Sequence, residues 1–244
     1  MVVQQEDESA IIGVGQAAQM LGLRPRSVLR LIKDGEMPAR KELGRWRILR
    51  ADVEIRREVG THDGRRYGPA KAWGLIFLAG GGPAPWLDRV SRWRIQKRLA
   101  SRPWPGLRHA LADRAALSRY AAHPDSVARL RDERGLMHSG LRAAEASGAG
   151  VISAGDRFEA YVPSERLPDI IRGHHLRRDP EGLVALRAVP PEVLPEPLPP
   201  VAPPMAIALD LLEDHEPRAR QVGHGLLAAL EAGYRAGTDV LAGG

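Results

Sequence analysis

The chain has 244 residues, a formal net charge of +6 and no cysteine. That length holds one large or two modest domains, each with its own core. The missing cysteines exclude disulfides, thiolate catalysis and Cys-ligated zinc. No stretch approaches the ~18 uninterrupted apolar residues of a membrane span. The opening residues are polar and acidic, the reverse of a signal peptide. The cytoplasm is the expected location, with no membrane partner. Charge is unevenly placed. Residues 11–66 hold thirteen Lys/Arg against seven Asp/Glu, residues 67–119 ten against two, and residues 120–244 thirteen against eighteen. A basic first half is the footprint of a polyanion partner.

Residues 1–10 read as a disordered acidic tail. A compact unit follows over 11–60, closed by the polar hinge Gly60-Thr61-His62-Asp63-Gly64. Val14, Ala17, Ala18 and Leu21 recur at i, i+3, i+4, i+7, which gives a short helix one buried face. Gly22 breaks that helix. Pro25 suits the first position of a second helix, in which Val28, Leu31 and Ile32 point inward. Arg26, Arg30 and Lys33 share a different face of the same helix. An apolar face backed by a cationic one is what a helix needs to lie in the major groove. The alternative, a solvated arginine face, demands no partner. Gly35 ends the helix, and Met37 to Arg40 begins an extended arm. A turn at Leu43-Gly44-Arg45 leads into a second strand at Trp46-Arg47-Ile48. This hairpin reads as a wing whose Arg40, Lys41, Arg45 and Arg47 touch phosphates or the adjacent minor groove. A closing helix starts at Asp52.

The run Ala17-Ala18-x-x-Leu21-Gly22, then Ser27-Val28-x-Arg30-Leu31-Ile32-x-x-Gly35-x-Met37-Pro38-Ala39, then Gly44-Arg45-Trp46-Arg47-Ile48, resembles the excisionase/MerR-type winged helix-turn-helix. The resemblance implies binding of double-stranded operator DNA through Arg24, Arg26, Ser27, Arg30, Lys33 and the wing cations. Arg24 stands where that family usually places a small capping hydroxyl. The lost cap costs ~1 kcal/mol, and Arg24 becomes a candidate for a phosphate contact.

The second region, 67–189, is expected to be a mixed α/β body. Helices are expected from Pro69 and over Pro85–Ala100, the latter with Trp86, Val90 and Trp93 as its apolar stripe. Further helices are expected over Ser126–Glu133, Leu141–Ala146 and Ser164–Gly173, and strands at Val151-Ile152, Phe158–Val162 and Leu183–Val189. Trp73, Trp86, Trp93 and Trp104 interleave with arginines, which suits a single-strand stacking surface. The preferred reading puts the tryptophans in the core, with Arg89, Arg92 and Arg98 on its rim. Residues 190–204 hold eight prolines and read as an extended linker. A C-terminal helical segment, 205–244, follows with helices at Met205–Leu212 and Pro217–Ala232. Val222, Leu226, Ala229 and Leu230 form a stripe on the last of these. The fold class is therefore α+β, a winged domain followed by a mixed body and a helical end.

Catalytic patterns are thin. His174 and His175 are adjacent and point apart, and His109, His123 and His138 lack HExxH-type spacing. Gly80-Gly81-Gly82-Pro83 lacks the Lys-Ser/Thr of a phosphate-binding loop, and Ser139-Gly140 lacks a GxSxG frame. The expectation is a protein that is not an enzyme and needs neither cofactor nor metal.

The body carries a second resemblance. Tyr67-Gly68-Pro69-x-Lys71-Ala72-Trp73, His123-Pro124, Ser139-Gly140-Leu141-x-Ala143-Ala144, Glu159-Ala160-Tyr161-Val162, Leu186-Arg187-x-Val189, and Ala208 to Leu211 followed by Glu216-Pro217-Arg218 are similar to the AbiE-type (AbiEi) antitoxin family. That family's usual winged domain is of a different subtype. The resemblance implies an autoregulating repressor that binds operator repeats as two copies and counteracts a nucleotidyltransferase-type toxin. Asp210, Glu213, Asp214 and Glu216 are candidates for toxin contact, although a solvated face is the preferred reading of them. A stand-alone regulator with a ligand-sensing or oligomerising body is the alternative. A recombination directionality factor would rarely carry so long an extension.

Overall fold

The computed structural model describes residues 11–35, 37–59, 66–146, 148 and 157–242. The chain divides into two compact units between Gly64 and Arg65. The acidic tail, the Gly60–Gly64 hinge and the strand expected at Val151-Ile152 lie outside the described residues.

The first unit runs β1 (Ile11–Ile12), α1 (Val14–Leu21), α2 (Pro25–Lys33), β2 (Arg40–Glu42), β3 (Arg45–Leu49) and α3 (Arg50–Val59). Gly22 takes φ +65° after α1, and the Leu23 N–H donates to the Ala18 carbonyl at 2.9 Å. This left-handed cap closes α1 and aims the chain into α2. The wing strands pair antiparallel with Arg40 opposite Arg47 and Glu42 opposite Arg45. A strand that periodicity did not reveal, β1, adds to the other edge of β3 and completes a three-stranded sheet ordered β1-β3-β2. Ile12, Ala17, Ala18, Val28, Leu31, Met37, Ile48 and Val53 form the core.

The second unit contains α4 (Pro69–Ala79), α5 (Arg89–Ser101), α6 (Leu107–Ala110), β4 (Ala116–Ala121), α7 (Pro124–Arg131), β5 (Met137–His138) and α8 (Gly140–Ala146). It continues with β6 (Phe158–Pro163), α9 (Leu167–Gly173), β7 (Arg177–Arg178), β8 (Val184–Val189), α10 (Pro204–Leu212) and α11 (Pro217–Ala242). The strands form one sheet ordered β5-β6-β8-β4-β7, in which β6 and β8 pair parallel and the other neighbours antiparallel. The crossover from β6 to β8 carries α9, as parallel neighbours require. Alternation along the strands separates two cores. Phe158, Ala160, Val162, Val184 and Leu186 pack with Val127, Leu130 and Ile170 of α7 and α9. Tyr161 and Val189 join the larger core of α4, α5, α10 and α11, where Trp73 and Trp104 are fully buried.

Three expectations for this unit are corrected. The helix expected from Pro85 begins at Arg89, because the Asp88 carboxylate accepts the Ser91 N–H at 2.8 Å and the Ser91 hydroxyl at 2.6 Å. That cap sets a register in which Ile95 and Leu99 face the core, while Val90 and Trp93 are 54% and 58% exposed. Trp86 precedes the helix and donates its indole N–H to the Ala70 carbonyl at 2.9 Å.

The proline-rich stretch 190–204 is packed rather than free. Val193 and Ala202 are buried in the large core, the His138 N–H donates to the Pro200 carbonyl, and the Ala202 N–H donates back to the His138 carbonyl. The helices after it belong to the same core. Every residue of α10 from Met205 to Leu212 is buried. Gly223 lets α11 approach so closely that a Cβ there would come within 2.9 Å of the Ala208 carbonyl oxygen.

Of the acidic set at and after the end of α10, Asp210 and Asp214 are not on a solvated face, while Glu216 is exposed. Asp210 is 3% exposed, and its Oδ1 lies 2.5 Å from Arg114 Nη2, 2.7 Å from Arg187 Nε and 2.7 Å from the Tyr161 hydroxyl that donates to it. Ser139 donates its hydroxyl to Oδ2. Arg114 also bonds Glu213 at 2.6 and 2.8 Å. Burial alone would raise the Asp210 carboxyl, but Arg187 and Arg114 overcome it and hold the group below the usual carboxylate range.

A depressed folded-state value contributes stability that is present above the unfolded value of about 3.9 and lost as pH falls through the folded one. In urea unfolding at neutral pH, Asp210→Asn should destabilise the second unit by about 3–5 kcal/mol, because two buried guanidinium groups lose their anion. The variant should also lose less stability than the parent between pH 5 and 3. Equal neutral-pH stability would show that the network carries no weight.

Candidate nucleic-acid interface

Helix α2 is built to be placed rather than to be intrinsically strong. Its first residue is Pro25, whose ring presets the helical φ. Arg24 occupies the cap with φ −79° and ψ 147°, and its side chain makes no capping bond. The Arg24 carbonyl still accepts the Ser27 N–H at 2.8 Å, so the turn closes through the backbone alone. At the other end Gly35 adopts φ +72°, and the Met37 N–H returns to the Leu31 carbonyl at 3.0 Å. Met37 is thereby drawn into the core and anchors the start of the wing.

Val28 and Leu31 are buried and Ile32 packs beside them, which turns Arg26, Arg30 and Lys33 outward together. Arg24 is also exposed, and Ser27 is half-buried at the edge of this face. Among the described residues, Arg24, Arg26, Arg30 and Lys33 form no ion pair or side-chain hydrogen bond. Four cations within ten residues therefore repel one another without internal compensation, a cost that an anion removes.

The wing is arranged differently. Arg40 and Arg45 are exposed and uncommitted, but Arg47 Nε lies 3.6 Å from Glu42 and Lys41 sits 5.8 Å from the Trp46 ring centre. Both contacts are solvent-exposed and worth at most about 1 kcal/mol, so a phosphate can displace them.

Two residues of this surface escaped a search for cations. Leu29 is 42% exposed between Arg26 and Arg30, an apolar group of the kind that meets a thymine methyl. Leu43 lies at the wing tip with its side chain fully exposed and φ +48°, next to Gly44 at +78°. Two successive positive φ values make the hairpin turn that twisted strands prefer, and a leucine there carries about 1–2 kcal/mol of strain. The signal for both was a large apolar residue at a position that the core pattern does not use.

Elsewhere His174 is buried, with Nε2 3.2 Å from Glu133 and Nδ1 unbonded, while His175 stands at φ +52°. Among the described residues no three His, Asp or Glu side chains gather as a metal site, and no helix is long and apolar enough to cross a membrane.

A helix pair with a free cationic face on its second member and a basic hairpin beside it defines a winged helix-turn-helix, a DNA-binding regulatory module. Residues 12–56 match the family model of a helix-turn-helix domain. No curated protein and no solved structure matches the chain.

Replacing Arg26 and Arg30 together by alanine should weaken duplex binding in fluorescence anisotropy. It should also flatten the dependence of log affinity on log salt by about two phosphate equivalents. Unchanged affinity and slope would remove α2 from the interface.

Proposed function

We propose that the chain is a transcriptional repressor that binds double-stranded operator repeats, two copies at a time, and serves as the antitoxin of its own operon. The observation that carries the DNA-binding half is the unpaired set Arg24, Arg26, Arg30 and Lys33 on a helix whose other face is sealed in the core. Half-sites one helical turn apart would seat two such helices in successive major grooves.

The antitoxin half is supported by where the AbiE-like residues come together. Ser139, Tyr161, Arg187 and Asp210, far apart in sequence, meet in one buried hydrogen-bonded network. Trp73, from the same set of matches, packs edge-on against Tyr161 at 4.9 Å. With Asp210 and Asp214 buried, contact with a toxin falls to exposed residues such as Glu216 rather than to the acidic set as a whole.

Two measurements test the halves separately. Footprinting on the DNA upstream of the gene should show paired protected half-sites, and loss of that protection in the Arg26→Ala, Arg30→Ala variant ties it to α2. Co-expression with the adjacent reading frame should rescue growth from a toxic product. A harmless neighbour would leave a repressor that is not an antitoxin.

A further inference from the structure

The second unit holds a partly open pocket of about 440 Å³ between the end of α7, α8, the start of β6 and the turn joining α10 to α11. Pockets of this size take small organic ligands. Leu141, Phe158 and Leu183 give it an apolar wall. The charged groups around it fall into two sets. Arg157 bonds the Asp214 carboxylate at 3.1 and 3.4 Å and lies 3.5 Å from Glu216, so these three compensate one another.

Arg131, half-buried, Arg142, at the exposed rim, and Glu159 also line the pocket, and no carboxylate or guanidinium of a described residue hydrogen-bonds to them across it. Neither guanidinium makes an ion pair or side-chain hydrogen bond with a described residue, and Arg131 Nε is buried without a partner. A buried donor left unbonded is costly. The Glu159 side chain is 12% exposed and accepts no hydrogen bond from a described residue. Its nearest cation is Arg187 Nη1 at 3.7 Å, beyond hydrogen-bond reach, and that atom too is buried and unbonded. Burial raises the Glu159 carboxyl above the usual range against the pull of Arg187.

A purely anionic ligand would suit the two arginines and leave Glu159 opposed or unbonded, while a purely cationic one would do the reverse. We propose that this cavity binds a small zwitterion with an apolar side chain, in chemical class a free α-amino acid. Its carboxylate meets Arg131 and Arg142, its ammonium donates to Glu159, and its side chain lies along Leu141, Phe158 and Leu183. The inference rests on the cavity alone and not on the DNA-binding surface.

Isothermal calorimetry on the full chain without DNA, using L-leucine, L-methionine and L-phenylalanine, tests it. At least one should bind saturably. For phenylalanine as ligand, 3-phenylpropionate and 2-phenylethylamine, each lacking one charged end, should bind about tenfold more weakly or worse. Arg131→Gln and Glu159→Gln should each weaken the amino acid by a similar factor, and Glu159→Gln should leave 3-phenylpropionate unchanged or tighter. Thermal unfolding in parallel shows that each variant is folded, and the ligand analogues carry the test should one not be. No saturable binding by any of the three, equal binding of the one-charge analogues, or affinity untouched by both substitutions would overturn the proposal.

Discussion

A carboxylate on a helix whose whole length from Met205 to Leu212 is buried has no access to water, and the second unit is organised around that requirement. Asp210 is satisfied by Arg114 from the segment before β4, Arg187 from β8, Tyr161 from β6 and Ser139 from the start of α8. Each partner belongs to a different element, so α10 cannot slide or turn over the sheet without stranding a charge. Hydrophobic contacts do not supply this, because one Leu-lined groove accepts many registers at similar energy. Buried ion networks add little net stability beyond apolar packing, and their weight lies in the cost of every misaligned alternative. The same network explains why the proline-rich stretch is held. It leads into α10, whose position is already fixed, and it closes the distance through the backbone bonds between His138, Pro200 and Ala202.

The first unit obeys the opposite rule. Among its described residues the fully buried side chains are apolar, and the cations of α2 find no partner among them. Arg24 shows the choice most plainly, since a serine or aspartate at that position would cap the helix and Arg24 does not. Stability forgone at the cap is exchanged for a fourth uncommitted cation beside the recognition face. Leu43 follows the same pattern at the wing tip, where asparagine or glycine would fold with less strain.

How much of this could be read beforehand depended on whether a residue's neighbours in sequence were also its neighbours in space. Helices α1 and α2, the wing and the outward face of Arg26, Arg30 and Lys33 were legible because local periodicity and the breaks at Gly22, Pro25 and Gly35 determine them. Strands β6 and β8 were legible as mostly apolar runs, each interrupted by a single charged residue, Glu159 and Arg187. Strand β4 was not, because Tyr120 is its only buried side chain although it pairs on both edges. Two-residue β1 carries too short a pattern to stand out. In α5 the stripe through Trp86, Val90 and Trp93 was as regular as the true one, and only the Asp88 cap decides between them. The burial of Asp210 was invisible because its partners lie 23 to 96 residues away.

Net charge illustrates the same difficulty from the side of function. Residues 67–119 are the most unbalanced part of the sequence, ten Lys/Arg against two Asp/Glu, and composition alone extends the polyanion surface across them. The structure neutralises one of these cations and ties two more to neutral acceptors. Arg114 is buried against Asp210 and Glu213, Arg98 donates to the Tyr67 hydroxyl at 2.8 Å, and Arg92 donates to the Ala84 carbonyl at 3.0 Å. A phosphate backbone responds only to charge that can reach it, and its affinity scales with counterions released rather than with residues counted. A cation already held by a buried carboxylate releases none. What sets the cations of α2 and the wing apart is their place on a helix-turn-helix, since Lys71, Arg89, Arg94, Lys97 and Arg102 of the stretch that follows are exposed as well.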